Sequence, residues 1–322
     1  MVETTIKQGK VMFGAVLAAL TIAAHVAHGQ TPAAPVAPTA TFRSSVDLVR
    51  VAATVRDHKG RFVQDLTARD FEVTDSGHIR PITDFRQDIA GVSVALLFDV
   101  SGSMEGLFSQ AREAATHVLS WLDVKQDEAA VFRFETRLEE SMPFTSGLRA
   151  LPPTLAGVIP FGATSLLDAV ARTAERVAVR EGHRRAVVVF TDGMDNASRL
   201  TPAEVSSIAS SIDVPVYIVG VVSAIDNPSS ELSAAGDKSP LSGPLVDLAN
   251  WTGGHVFVAS SPVERSLAAR QIVEELRHQY LIAFESSGDP GWHRLAISVR
   301  NKKMVVRARS GYIAGQSRPN SL

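Results

Sequence analysis
Apolar residues follow two periodicities along this chain and divide it into a centre and two flanks. In the centre, Val92-Ser93-Val94-Ala95-Leu96-Leu97 is rich in branched residues and unbroken by charge, the pattern of a strand buried on both faces. It runs into Phe98-Asp99-Val100-Ser101-Gly102-Ser103-Met104, after which Leu107, Ala111, Ala114, Ala115, Val118, Leu119 and Leu122 recur at helical spacing. A second buried strand, Val187-Val188-Val189-Phe190, also ends in a polar turn, Thr191-Asp192-Gly193. Between them the pattern predicts strands over 128–134 and 139–144, then a helix after Thr164 with Leu166, Leu167, Val170, Ala174 and Val177 on one face. Pro143 marks the second of these strands as an edge, where its missing N–H does least harm. Helix 203–212, strand 214–222, helix 245–251, strand 256–258 and helix 263–277 complete the alternation. This predicts an α/β fold, a doubly wound and mostly parallel six-stranded sheet with helices on both faces.

The flanks change period. Val49, Val51, Ala53 and Val55 alternate with Arg50, Thr54 and Arg56, as in a half-buried strand. Asp57-His58-Lys59-Gly60 supplies a turn, and Phe62 with Val63, then Phe71 with Val73, read as short strands before Asp75-Ser76-Gly77. Beyond the centre, 280–284, 295–299 and 304–309 read as three more strands. A piece of two or three strands leaves its apolar face wet. The two flanks, 43–90 and 279–313, are therefore expected to join in one smaller β-sandwich, with the α/β domain of residues 91–278 inserted between them and 314–322 a disordered tail. The alternative is that each flank packs separately on the α/β domain.

The first residues carry an address rather than a fold. Lys7 and Lys10 precede about 14 mostly apolar residues and then small and polar ones up to Gln30. Residues 1–29 thus read as an export signal cut after Gly29, since the run falls short of the ~20 residues that a membrane span needs. An uncleaved anchor is the alternative and would be the expected membrane contact. Residues 30–42, rich in Pro and Ala, read as a semi-extended tether. The 322 residues contain no Cys, which excludes disulfides, thiol catalysis and lipid attachment through a cysteine. An exported chain long enough to bury a core without staples fits a bacterial envelope, in the periplasm or outside the cell. Charge adds little: 32 basic residues nearly balance 34 acidic ones, and no basic stripe predicts nucleic acid as a partner. The short runs His183-Arg184-Arg185 and Lys302-Lys303 read as solvated.

Candidate chemistry gathers where the central strands end. Asp99, Ser101 and Ser103 stand at the carboxyl end of a strand, where open α/β sheets bind ligands. The same residue types also cap ordinary helices. Phe161-Gly162-Ala163-Thr164-Ser165, opening the next helix, and Asp192 shift the reading. Asp99, Ser101, Ser103, Thr164 and Asp192 together form a set of hard oxygen ligands suited to Mg²⁺, Mn²⁺ or Ca²⁺. Without Cys or clustered His, a zinc site is not expected. Two carboxylates in one crevice repel by about 4 kcal/mol at ~4 Å and an effective dielectric near 20, a cost that a divalent cation removes. Mg²⁺ usually keeps several waters, so such a site has open positions for a partner's group.

With these residues in this order, the chain resembles a von Willebrand factor type A domain over 91–278, and the five residues match that family's metal-ion-dependent adhesion site. The resemblance implies a Rossmann-like sheet of order 3-2-1-4-5-6, in which the strands ending at Asp99 and Asp192 are neighbours. It further implies that the hydroxyls of Ser101, Ser103 and Thr164 ligate or support an ion, with Asp99 and Asp192 acting directly or through water. The implied partner is a protein offering an Asp or Glu carboxylate. A degenerate site that keeps the fold without an ion is the alternative. Gly60-Arg61-Phe62-Val63, Asp70-Phe71-Glu72-Val73, Asp75-Ser76-Gly77 and Arg307-Ala308-Arg309-Ser310-Gly311-Tyr312 resemble the exported bacterial VWFA-related family, which implies architecture and export.

Other polar residues weigh less. Asp168, four residues after Thr164, is expected to face solvent or cap locally, and Asp195 with Asn196 to form a polar turn at the rim of the site. Glu105 reads as a carboxylate favoured by a helix start. The segment 223–244, poor in apolar anchors, is expected to flank the metal face. Glu275-Leu276-Arg277-His278 has metal-like spacing but reads as helix surface. Hydrolase motifs are missing: no Gly-x-Ser-x-Gly, no His-Glu-x-x-His and no phosphate-binding Gly-rich loop. The expectation is an exported, non-enzymatic binding module. A structural envelope module whose metal only stabilises the fold is the second reading, and a metal-dependent phosphoesterase the third.

Overall fold
The computed structural model describes residues 48–87, 91–180, 184–211, 213–223, 241 and 243–314. The signal, the tether and residues 224–240 of the long loop lie outside the described residues, as does His183. Before the α/β unit come β1 (Leu48–Arg56), β2 (Phe71–Asp75), β3 (His78–Arg80) and β4 (Ile82–Arg86). The α/β unit itself contains β5 (Val92–Asp99), α1 (Phe108–Trp121), β6 (Glu128–Phe134), β7 (Leu138–Ser146), α2 (Leu166–Ala178) and β8 (Arg184–Thr191). It continues with α3 (Pro202–Ser211), β9 (Val216–Val221), α4 (Pro244–Thr252), β10 (Val256–Ala259) and α5 (Pro262–Arg277). After it come β11 (Gln279–Glu285), β12 (Gly291–Val299), β13 (Val305–Ala308) and β14 (Gly311–Ala314).

The six-stranded sheet has the order β10-β9-β8-β5-β6-β7, which in sequence ranks is the expected 3-2-1-4-5-6. All its pairs are parallel except that of the edge strand β7, which carries Pro143. Every residue of β5 is buried, because its two faces serve two helical layers. Val94, Leu96 and Phe98 pack with α1 and α5, while Ala95 and Leu97 pack with α2, α3 and α4. Strand order reverses beside β5, so the loops after β5 and β8 meet at the switch point.

The flanks interleave in two four-stranded sheets, β13-β1-β11-β4 and β14-β12-β2-β3. In each sheet a strand from before the α/β unit pairs antiparallel with one from after it, as from Leu48↔Glu285 to Thr54↔Gln279 and from Phe71↔Val299 to Asp75↔Leu295. One apolar cluster, including Val51, Phe71, Val73, Tyr280, Ile282 and Phe284, fills the space between them. Each flank supplies strands to both sheets, and neither sheet is complete without strands of the other flank. The α/β fold inserted in a smaller β-sandwich is therefore the architecture of this chain.

Several local expectations need correction. Phe62 forms only an isolated bridge with Arg56, and its ring lies between His278, stacked at 4.5 Å, and the Arg56 guanidinium at 3.9 Å. The three strands expected after the centre are four, and Ala314, assigned to the tail, closes β14. Arg184 and Arg185 are half-buried, donating to the carbonyls of Gln87 and Ala178. Glu275 is not on the surface: it is 1% exposed and pairs with Arg56 at 3.0 Å and Arg307 at 2.8 Å, joining α5 to the sandwich.

Candidate metal centre
Asp99, the last residue of β5, is fully buried. Its Oδ1 accepts from the Ser101 N–H at 3.0 Å and the Ser101 hydroxyl at 2.6 Å, and its Oδ2 accepts from the Thr191 hydroxyl at 2.7 Å. The chain leaves the sheet extended at Ser101 and turns through a short 3₁₀ helix, Gly102–Met104. That turn brings the exposed Ser103 hydroxyl to 3.2 Å from that of Ser101. Asp99, Ser101 and Ser103 thus form one hydrogen-bonded chain from the sheet interior to solvent.

The loop before α2 is tied to this one through the backbone, and the loop after β8 is tied to it in turn. Phe161 N–H donates to the Val100 carbonyl at 2.9 Å, and Gly102 N–H to the Gly162 carbonyl at 3.0 Å. Gly162 has φ +90°, which favours glycine, and a Cβ there would lie 2.6 Å from Glu135 Oε2, the movable end of a long side chain. Thr164 is buried; its N–H donates to Asn196 Oδ1 at 2.8 Å, and its carbonyl accepts from Asn196 and Ala197. Asp192, half-buried just past β8, accepts the Met194 N–H at 3.0 Å. The structure thus links Asp99, Ser101 and Ser103 directly, and fixes Thr164 by its backbone on the loop that follows Asp192.

Burial pushes the Asp99 carboxyl up to about 6, and the Asp192 charge adds to the rise. Hydrogen bonds from Ser101 and Thr191 oppose it without cancelling it. Among the described residues neither Asp99 nor Asp192 ion-pairs with a Lys, Arg or His. Nor do the described residues contain a group of three His, Cys, Asp or Glu placed to hold a metal. Two carboxylates without a cation, accompanied by hydroxyls, form an oxygen donor set short of positive charge. That chemistry fits a hard divalent cation.

The neighbouring acids have other duties. Asp195 Oδ2 and Ser198 Oγ both accept the Leu167 N–H at 3.0 Å, capping α2 in place of Ser165, whose own side chain makes no cap bond. Asp168 returns the contact, its Oδ1 accepting from Arg199 and Leu200 at 3.1 and 3.0 Å. It thus ties α2 to a turn about thirty residues on, rather than facing solvent or capping locally as expected. Glu105 is exposed three residues before α1 and follows the 3₁₀ turn rather than opening the helix. Thr191 was missed from sequence. Its signal is its place: β5 and β8 run parallel with Leu97 opposite Val189, so two residues later Asp99 and Thr191 share a face.

Residues 94–194 match the family model of the von Willebrand factor type A domain. No curated protein matches it. Among solved structures it is similar to an aerotolerance-related membrane protein from Bacteroides fragilis, with 19% identity, TM-score 0.47, and coverage of 58% of this chain and 98% of the other. It is also similar to a von Willebrand factor type A protein from Catenulispora acidiphila, with 14% identity, TM-score 0.46, and coverage of 84% and 73%. A third similar structure is proximal thread matrix protein 1 from the mussel byssus with zinc in its MIDAS motif, with 18% identity, TM-score 0.45, and coverage of 63% and 50%.

Proposed function
We propose that this chain is an exported, non-enzymatic binding module in which Asp99, Ser101, Ser103, Thr164 and Asp192 hold a divalent cation, Mg²⁺ or else Mn²⁺ or Ca²⁺. The bound cation would supply an open coordination position for an Asp or Glu carboxylate of a partner protein. The observation that carries this reading is the buried Asp99 carboxylate, facing the charge of Asp192 with only neutral donors around it. Buried carboxylates are ordinarily paired, and a cation completes this one. In the same reading residues 1–29 direct export and 30–42 tether the sandwich and its inserted domain in the periplasm or outside the cell.

The test is retention of envelope proteins on the immobilised chain in Mg²⁺ and in EDTA. Retention that disappears with EDTA and with Asp99→Ala, while the fold persists, is expected; retention indifferent to EDTA contradicts the reading. The cross-tied loops favour one second reading, a structural module that the cation only stiffens. It predicts that Asp99→Ala lowers the melting temperature and leaves retention unchanged.

A further inference from the structure
A cavity of about 440 Å³ opens at the same end of the sheet, beginning one residue past Asp99 at Val100. Phe134, Arg137, Val158, Ile159 and Phe161 line it, and its size lies within the roughly 300–1,000 Å³ of ordinary ligand sites. Its outer wall is apolar and wet, with Ile159 84% and Phe161 81% exposed. This exposure does not come from a loose segment. Leu155 is anchored in the core with Val158 packed against it, and Phe161 is hydrogen-bonded to Val100. Two large side chains are thus held out in water beside the candidate site.

The charges lining the cavity balance, and its apolar wall identifies what fits it. Arg133 lies on Glu139 at 2.9 Å, and the Glu135 carboxylate lies against Gly162. Arg137 and Glu135, which both line the cavity, make no ion pair among the described residues, so the lining carries one free charge of each sign. We propose that the cavity receives a bulky apolar side chain of an acidic partner segment, so that this face reads a carboxylate flanked by a large apolar residue. The segment's acidic group meets the Asp99 site, and Phe161 and Ile159 cover its apolar one. The proposal rests on the metal-capture reading and adds the partner's sequence chemistry to it.

The test pans random peptides displayed on phage against the mature chain, residues 30–322, in Mn²⁺. The same selection is made on Asp99→Ala and on the double variant Ile159→Ser, Phe161→Ser, whose exposed side chains the core does not use. Peptides from the wild type are expected to pair Asp or Glu with Phe, Leu, Ile or Trp within a few positions. Their affinity should fall on the order of tenfold to a hundredfold on the double variant. Peptides that are acidic without an apolar preference, or that bind the double variant equally well, overturn the cavity proposal and leave metal capture standing. Selection that yields nothing dependent on Asp99 overturns both.

Discussion

Two aspartates in this molecule are fully buried at strand ends, and their environments push them in opposite directions. Asp75, in the sandwich, is pushed up by burial, but hydrogen bonds from His293 at 2.9 Å and Tyr312 at 3.1 Å and the charges of His293 and Arg80 outweigh it, and its pKa is lowered. Asp99 receives only neutral donors beside a second carboxylate, and burial raises it to about 6. The sandwich carboxylate carries its counter-charges within the fold; the one at the switch point does not. Complete pairing marks a group that holds two flanks together, since Asp75 precedes the inserted domain and His293 and Tyr312 follow it. Incomplete pairing is the observation on which the metal-capture proposal rests.

The largest expected effect breaks the first half of this contrast. Asp75→Ala strands His293 and Arg80 in the sandwich and should cost about 3 kcal/mol in denaturant unfolding. Asp99→Asn should leave the metal-free protein within about 1 kcal/mol of wild type, because it removes a buried charge together with a repulsion. Equal losses in the two variants would erase the difference between the sites.

The next effect is a melting shift. Mg²⁺ or Mn²⁺ at a hundred times its dissociation constant should stabilise wild type by about 2.7 kcal/mol and leave Asp99→Asn unmoved.

A smaller effect follows pH. His293 is pushed down by burial, but the Asp289 carbonyl and the Asp75 carboxylate outweigh this and raise it above 6.5. A raised histidine contributes its stability in full below its unfolded pKa, so this contribution is lost as pH rises through the higher folded value. Asp75, lowered from 3.8, contributes above that value and loses the contribution as pH falls through the folded one. The contribution of this pair to stability should therefore be largest between about pH 4 and 6.5, read as the difference in melting temperature between wild type and Asp75→Ala. In His293→Gln the alkaline decline should disappear.

Smallest among these, Gly162→Ala places a Cβ at φ +90° against Glu135 and should cost about 1 kcal/mol, read by thermal melting.

How much was legible in the sequence follows the same division. β5 and β8 are apolar runs because both their faces are covered, and their terminal Asp99 and Asp192 stood out against them. The sheet order came from the resemblance and from the strand and helix alternation. β4 was illegible because its apolar, half-buried positions, Ile82 and Phe85, are three apart. A register shift opposite it, between Ala283 and Phe284, breaks the period of two. β14 was hidden behind Gly311, which is needed because a Cβ there would lie 2.1 Å from the Trp292 ring. Glu275 read as surface since its partners, Arg56 and Arg307, lie 219 and 32 residues away. The capping exchange between Asp195, Ser198 and Asp168 likewise joins segments about thirty residues apart, a distance over which local pattern is silent.

The most direct measurement is a calorimetric titration of Mg²⁺ and of Mn²⁺ into metal-free protein spanning residues 30–322, beside Asp99→Asn. The unpaired charge at the switch point predicts saturable binding of one ion to the wild type and none to the variant. Absence of binding to the wild type, or equal binding to both, contradicts it.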